Sequence, residues 1–229
     1  MKKYNKSCII IFIKYPEAGK VKTRISYVIG QKITVELYRS FIIDTLKSLD
    51  GINIHKYIFF LPSNSKNKFV RWLGDRYIYI PQYGRDLGNR IEFAFRNVFK
   101  LDYNKVVLIG SDSPDLPVNL VKKAFIKLDN NDSVIGPSLD GGYYLIGFNF
   151  KGFVPDIFNK VKWSTNTVFS DTMNIFKRNN AKIYILPKWY DIDNVSDLKY
   201  LYEINKNTGF RNSETMKFIS ENYTNIFGN

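Results

Sequence analysis

Apolar and polar positions fall in blocks along this chain, and the blocks switch between two periods. "SCIIIFI" (7–13) is a continuous apolar run, the pattern of a strand buried on both faces. "HKYIFFL", "RYIYIP" and "KVVLIG" repeat that signature, and "DSVIG", "YYLIGF" and "AKIYIL" add three more strands. Between them the period lengthens. "QKITVELYRSFIIDTLKSLD" places Ile33, Leu37, Phe41, Leu46 and Leu49 near helical spacing, and "NRIEFAFRNVFKL" turns Ile91, Phe95, Val98 and Phe99 to one side. "NSKNKFVRWLG" reads as a short helix capped at Ser63, and "VNLVKKAFIKL" as a helix with Pro117 in its first turn. "STNTVFSDTMNIFKRN" and "VSDLKYLYEIN" read as two further helices. "SETMKFISENYTNIF" closes the chain as one amphipathic helix, about 213–227, behind a cap at Ser213.

Strands separated by helices of this length predict a three-layer α/β/α sandwich around a mostly parallel mixed sheet. The tandem short strands around "SLDGG" predict a local antiparallel piece. No repeat, low-complexity tract or linker interrupts the pattern, so 1–229 is expected to form one domain. In open α/β sheets ligands bind at the carboxyl ends of strands. Residues 14–24, 84–90, 110–116 and 187–193, all charged or glycine-rich, fall there and point to one site.

Composition narrows the chemistry. The chain has 229 residues, 45% hydrophobic, enough for a sizeable core. No apolar run approaches the ~20 residues that span a bilayer. The single cysteine, Cys8, lies within the first strand run, which fits a buried thiol and a reducing, cytoplasmic setting. One cysteine and one histidine, His55, leave no zinc site and no histidine-based triad. Net charge is +13, from 34 Lys and Arg against 21 Asp and Glu. That balance favours anionic partners, but the lysines are scattered, so position carries the argument and not the total.

The densest positive stretch is "FIKYPEAGKVKTRI" (12–25), which gathers Lys14, Lys20, Lys22 and Arg24 directly after the first strand. It is not a P-loop, because Gly19-Lys20 is followed by Val21. No G-x-G-x-x-G follows a strand either. Lysines and an arginine on a glycine-containing turn can still hold a polyphosphate, arginine through a bidentate fork. A solvated surface turn is the plain alternative. Asp112 in "GSDSPDL" and Asp193 in "DIDN" are strand-end carboxylates suited to a hard cation that keeps waters and substrate phosphates as its other ligands. Asp115 reads as a turn residue, and "WST" (163–165) as a helix cap after a packed tryptophan.

"FIKYPEAGKVKTRI", "GRDLGNRI", "VVLIGSDSPDL", "VIGPSLDGGYYLIGF" and "WST", in this order over roughly 7–200, resemble a family of glycosyltransferase-like proteins of GT-A, or nucleotide-diphospho-sugar transferase, fold. The family is associated with radical-SAM and selenium-related gene clusters. More distantly the chain is similar to nucleotidyltransferases. The resemblance implies a nucleotide or nucleotide-sugar donor, a small acceptor, and Mg²⁺ or Mn²⁺ held by Asp112 and Asp193. Gly19, Lys20, Lys22, Thr23 and Arg24 would contact phosphate oxygens, with Lys14 close by. Arg85, Asp86 and Arg90 would flank the nucleotide or acceptor, and Asp140 would be the catalytic base beside Arg24 and Asp112. "GSDSPD" lacks the D-x-D of many glycosyltransferases, which keeps nucleotidyl transfer open. A basic nucleic-acid-binding module is the alternative of another class. Acidic motifs beside the cations weigh against it.

Overall fold

In the computed structural model, which describes residues 6–228, seven strands form one sheet in the order β3-β2-β1-β4-β6-β5-β7. They are β1 (Ser7–Lys14), β2 (His55–Leu61), β3 (Ile78–Pro81), β4 (Lys105–Ile109), β5 (Ser133–Pro137), β6 (Tyr143–Asn149) and β7 (Ile183–Ile185). The helices are α1 (Thr23–Ile29), α2 (Gln31–Ser48), α3 (Lys66–Leu73), α4 (Leu87–Phe99), α5 (Val118–Lys127), α6 (Asp156–Asn159), α7 (Val168–Arg178), α8 (Val195–Asn205), α9 (Glu214–Glu221) and α10 (Tyr223–Phe227). The fold is α/β, a mostly parallel mixed sheet flanked by helices. β1 pairs with β4, β2 with β3, and β5 with β7 in parallel. β6 runs against both neighbours, β4 and β5, and is the antiparallel piece expected around "SLDGG".

Two compact units share the chain. One takes residues up to Ile13, Ile52–Gly110 and Val118–Tyr190; the other takes Lys14–Gly51, Ser111–Pro117 and the chain from Asp191. The first unit holds the sheet and α3–α7. Alternate residues of its strands, among them Cys8, Ile10, Phe59, Val106, Ile146 and Phe148, supply one face of a buried cluster. α4 closes that cluster with Ile91, Phe95 and Val98. Phe95 meets Phe148 edge-on at 5.1 Å and stacks on Phe158 at 5.9 Å. Such offsets suit the aromatic quadrupole better than a face-to-face sandwich.

The second unit holds α1, α2 and α8–α10. α9 is anchored to α2 by Asp44, a buried carboxylate that accepts the N–H groups of Glu214 (3.0 Å) and Thr215 (2.7 Å). Those are free donors of a helix start, and Asp44 satisfies them together with the expected cap, Ser213, which accepts from Met216 N.

Several local expectations change. Ser63 does not cap a helix; it opens a 3₁₀ turn, Ser63–Ser65, and α3 starts at Lys66 without a side-chain cap. α7 begins at Val168, not at the "WST" segment, and its N-cap residue Thr167 makes no side-chain cap bond. The C-terminal helix is two, broken at Asn222, whose backbone leaves the helical region. α1 lies where a turn was expected.

Candidate functional site

Three loops of the second unit meet around a cleft of about 370 Å³. It is lined by Lys14, Lys20, Val21, Lys22, Thr23, Arg24, Tyr38, Asp112 and Asp193. The turn 15–22 leaves β1 and is closed by Lys20 N donating to Glu17 O at 3.0 Å. Gly19 takes φ +71° in it, which a glycine adopts freely. The turn ends at Lys22, a left-handed residue (φ 42°, ψ 50°) at the N-cap of α1. Lys14, Lys20, Thr23 and Arg24 are exposed.

Lys22 is not. Its side chain is 7% exposed, and its Nζ lies 2.6 Å from Asp112 Oδ1 and 3.1 Å from Asp193 Oδ1. Burial by itself would push the ammonium's pKa down. The two carboxylates override that, and the pKa is raised above the usual lysine value. Lys22 is therefore charged at neutral pH and bound to both residues expected to hold a metal.

Neighbouring groups fix this triad. Ile192 N donates to Asp112 O at 2.9 Å, and Ser113 Oγ donates to Asp191 Oδ1 at 2.7 Å, joining the two acidic loops. Asp197 Oδ2 accepts from Asp193 N at 2.9 Å, so the start of α8 orients Asp193. Beneath the cleft, the Tyr38 hydroxyl bonds Ser111 Oγ at 2.8 Å and accepts Lys14 N–H at 3.4 Å. Burial, and then the Asp112 charge, push its pKa up to about 12, so the phenol stays neutral. Neither Tyr38 nor Ser111 was legible as a site residue; nothing in a tyrosine within a helix pattern marks it. Asp115 accepts from Asn205 Nδ2 at 2.9 Å, as a structural tie.

A divalent cation can be tested against this pair. Asp112 and Asp193 already close on one cation, and their side chains stay 48% and 44% exposed, which leaves carboxylate surface for a ligand. Among the described residues no group of three or more His, Cys, Asp or Glu is placed to hold a metal. The pair thus fits an ion that takes few protein ligands and completes its shell with water and phosphate, as Mg²⁺ does.

Arg85, Asp86, Arg90 and Asp140 belong to the sheet-bearing unit and are not among the residues lining the cleft. Asp86 caps α4, accepting from Asn89 N at 2.8 Å. Arg90 Nε donates to Gly84 O at 3.2 Å, and Arg85 is exposed. Asp140 accepts from Ser138 Oγ and, at 2.9 Å, from Gly142 N, an Asx-type turn with its side chain outward. Their segments converge on Trp163. A Cβ on Gly88 would fall 2.1 Å from Trp163 Nε1 and from Phe158 O, so only glycine fits there. The indole donates to Phe158 O at 3.0 Å and meets Tyr143 edge-on at 6.1 Å. The packed tryptophan expected in "WST" is thus found in Trp163, whereas the helix cap expected there is not.

A sheet of this order, with cations and carboxylates gathered in a cleft after β1 and β4, defines a nucleotide-diphospho-sugar transferase-like fold. The chain belongs to the family described as "Uncharacterized protein conserved in bacteria (DUF2064)", whose model matches residues 45–165. It is similar to a protein of Desulfovibrio desulfuricans G20 named as a "putative nucleotide-diphospho-sugar transferase", with 42% identity, 96% of each chain covered and TM-score 0.93. The fold is shared with 4-diphosphocytidyl-2C-methyl-D-erythritol synthase of Anaerococcus prevotii DSM 20548, at 14% identity, 86% and 94% coverage and TM-score 0.56. It is also shared with CMP:2-keto-3-deoxy-manno-octonic acid synthetase complexed with CTP, at 9% identity, 87% and 98% coverage and TM-score 0.53. Among curated proteins, none matches the chain.

Proposed function

We propose that this protein is a transferase that takes a nucleotide-activated donor into the cleft of its second unit, with a nucleotide sugar as the first reading. The observation that carries it is the pairing, in one cleft, of the exposed cations Lys14, Lys20 and Arg24 with the Asp112–Asp193 carboxylates. Carboxylates alone would repel phosphate, and cations alone would make a general anion patch. Together they suit a polyphosphate that arrives with its own metal ion.

In this reading Lys14, Lys20 and Arg24 bind and orient the phosphates. Arg24 and Lys20 neutralise charge on the departing phosphate oxygens, where stabilisation counts for rate and not only for binding. Thr23 adds a hydroxyl at the start of α1. Asp112 and Asp193 would hold Mg²⁺ or Mn²⁺, which when bound supplies further neutralisation of phosphate charge. Asp140, in the sheet-bearing unit, is the proposed base, and Arg85, Asp86 and Arg90 of that unit are proposed substrate contacts. Transfer of a nucleotidyl group to a small phosphorylated acceptor is the second reading. It is favoured by the absence of a D-x-D at Asp112 and by the CTP bound to one protein of the same fold.

A thermal-shift screen of nucleoside triphosphates and nucleotide sugars, with and without Mg²⁺, tests the reading. At roughly a hundredfold excess over Kd, a ligand should raise the Tm by about 5–10 °C. Phosphorus NMR then separates the chemistries, since pyrophosphate appears in nucleotidyl transfer and nucleoside diphosphate in glycosyl transfer. No shift with any nucleotide at millimolar concentration would end the proposal.

A further inference from the structure

We infer that Lys22 is an internal competitor for the divalent cation: its ammonium clamps Asp112 and Asp193 together, and a metal ion taking those carboxylates releases it toward the phosphates. The inference rests on the cleft being a metal-assisted phosphate site.

Four observations carry it. First, the two carboxylates contact the same nitrogen, so a metal ion held by both would compete with the ammonium for them. Second, Lys22 differs from the other cations of the loop. Lys14, Lys20 and Arg24 are exposed, whereas the Lys22 side chain is 7% exposed. Third, Lys22 holds a left-handed backbone although it is not glycine. That conformation is uncommon for a residue with a side chain and marks Lys22 as a position held by its surroundings, which include the helix bond from Ser26 N to Lys22 O at 2.8 Å. Fourth, Lys22 ends the turn 15–22 and itself lines the cleft, so a released ammonium stays within it.

Charge makes the two cations mutually exclusive. A dication on the inner carboxylate oxygens would sit within a few ångströms of the ammonium. At that range like charges repel far more strongly than they would in bulk water. The ammonium therefore holds the carboxylates at a fixed spacing while no metal is bound. When a metal binds, the site gains a phosphate-facing lysine. Metal and nucleotide binding become coupled, since each favours the state in which Lys22 has left the pair.

Mn²⁺ binding followed by electron paramagnetic resonance, without nucleotide, tests this on the wild type, Lys22→Met and Lys22→Arg. Removing the competitor should tighten Mn²⁺ binding by roughly ten- to a hundredfold, the usual span of a coupling between sites. Lys22→Arg should bind no tighter than wild type. Asp112→Asn in the Lys22→Met background should erase the gain. If Lys22→Met does not fold, acetylation of wild-type lysines, read by peptide mass spectrometry, decides. Lys22 should react slowly without metal and several-fold faster in saturating Mg²⁺, and CTP or the best ligand of the thermal screen should protect it again. Mn²⁺ binding by Lys22→Met that is equal to or weaker than wild type, or Lys22 acetylation indifferent to Mg²⁺, would overturn the inference. A protein that shows the Mn²⁺ effect but binds no nucleotide would keep the competition and lose the donor reading.

Discussion

Lys22 and Arg24 stand two residues apart at the start of α1 and meet opposite environments. Positions i and i+2 do not share a helix face, so the turn that buries one sends the other outward. Arg24 is exposed and lines the cleft, and among the described residues no ion pair or hydrogen bond holds its side chain. Arg24→Ala is therefore expected to leave stability within about 0.5 kcal/mol of wild type. Loss of a charge-assisted contact to phosphate should weaken nucleotide binding by about 1.5–3 kcal/mol, near ten- to a hundredfold. Arg24→Lys should recover only part of this, because a point charge cannot reproduce a bidentate fork. Calorimetric titration of the three proteins with one nucleotide in Mg²⁺ measures both steps. Equal affinities would remove the loop from the site. The place of Arg24 could be read from the sequence, because a cation after a buried strand belongs near a sheet edge. The burial of Lys22 could not. Lysine is almost never buried unless paired, and its pairing with Asp193 joins residues 171 positions apart.

At the scale of elements, α8 does for Asp193 what no single residue could. Asn194 accepts from Asp197 N at 3.0 Å, and Asp197 Oδ2 accepts from Asn194 N at 3.0 Å, a reciprocal capping box. The same Oδ2 takes the N–H of Asp193, so the helix start and the site share one carboxylate. Asp197→Ala should cost about 0.5–2 kcal/mol in urea unfolding, the usual value of a lost cap. It should also speed amide exchange over 193–197 and weaken Mn²⁺ binding, though Asp197 is not itself a proposed ligand. Unchanged exchange there would mean that the loop is held by other contacts. The range of α8 was legible, as was that of β2, because continuous apolar or periodic runs end at polar residues. α1 was hidden. It has seven residues, and its start is crowded with charges that read as a turn; the available signal was Ile25 and Ile29, buried at i and i+4. The cap expected at Ser63 failed because a helix start can be entered through a 3₁₀ turn that uses no side chain.

For the whole molecule, the sheet was legible from its double-sided apolar strands, and the reversal at β6 from two short runs flanking "SLDGG". Each of the two compact units is assembled from separated stretches, so no linker or composition shift in the sequence marks them. No helix among the described residues is long and apolar enough to cross a membrane. The net charge of +13 leaves one further question, whether the protein is a nucleic-acid binder instead of an enzyme. Binding of that kind needs cations arranged along a phosphate backbone, and sequence-tolerant single-strand binding adds aromatic rings on which bases stack. Here Lys14, Lys20, Lys22 and Arg24 line one cleft with Asp112 and Asp193, and Lys22 is bound to those carboxylates. Without metal, two half-exposed carboxylates in the same cleft oppose a phosphate chain. DNA affinity is therefore expected to be salt-sensitive and no tighter than ~10⁻⁶ M at physiological salt. Fluorescence anisotropy on an arbitrary duplex and on a single strand, titrated over salt concentration, measures it. A mononucleotide with Mg²⁺ should displace only the fraction held by the cleft. A nanomolar complex at physiological salt, unaffected by that mononucleotide, would reverse the order of the two readings and make the cleft incidental to the charge around it.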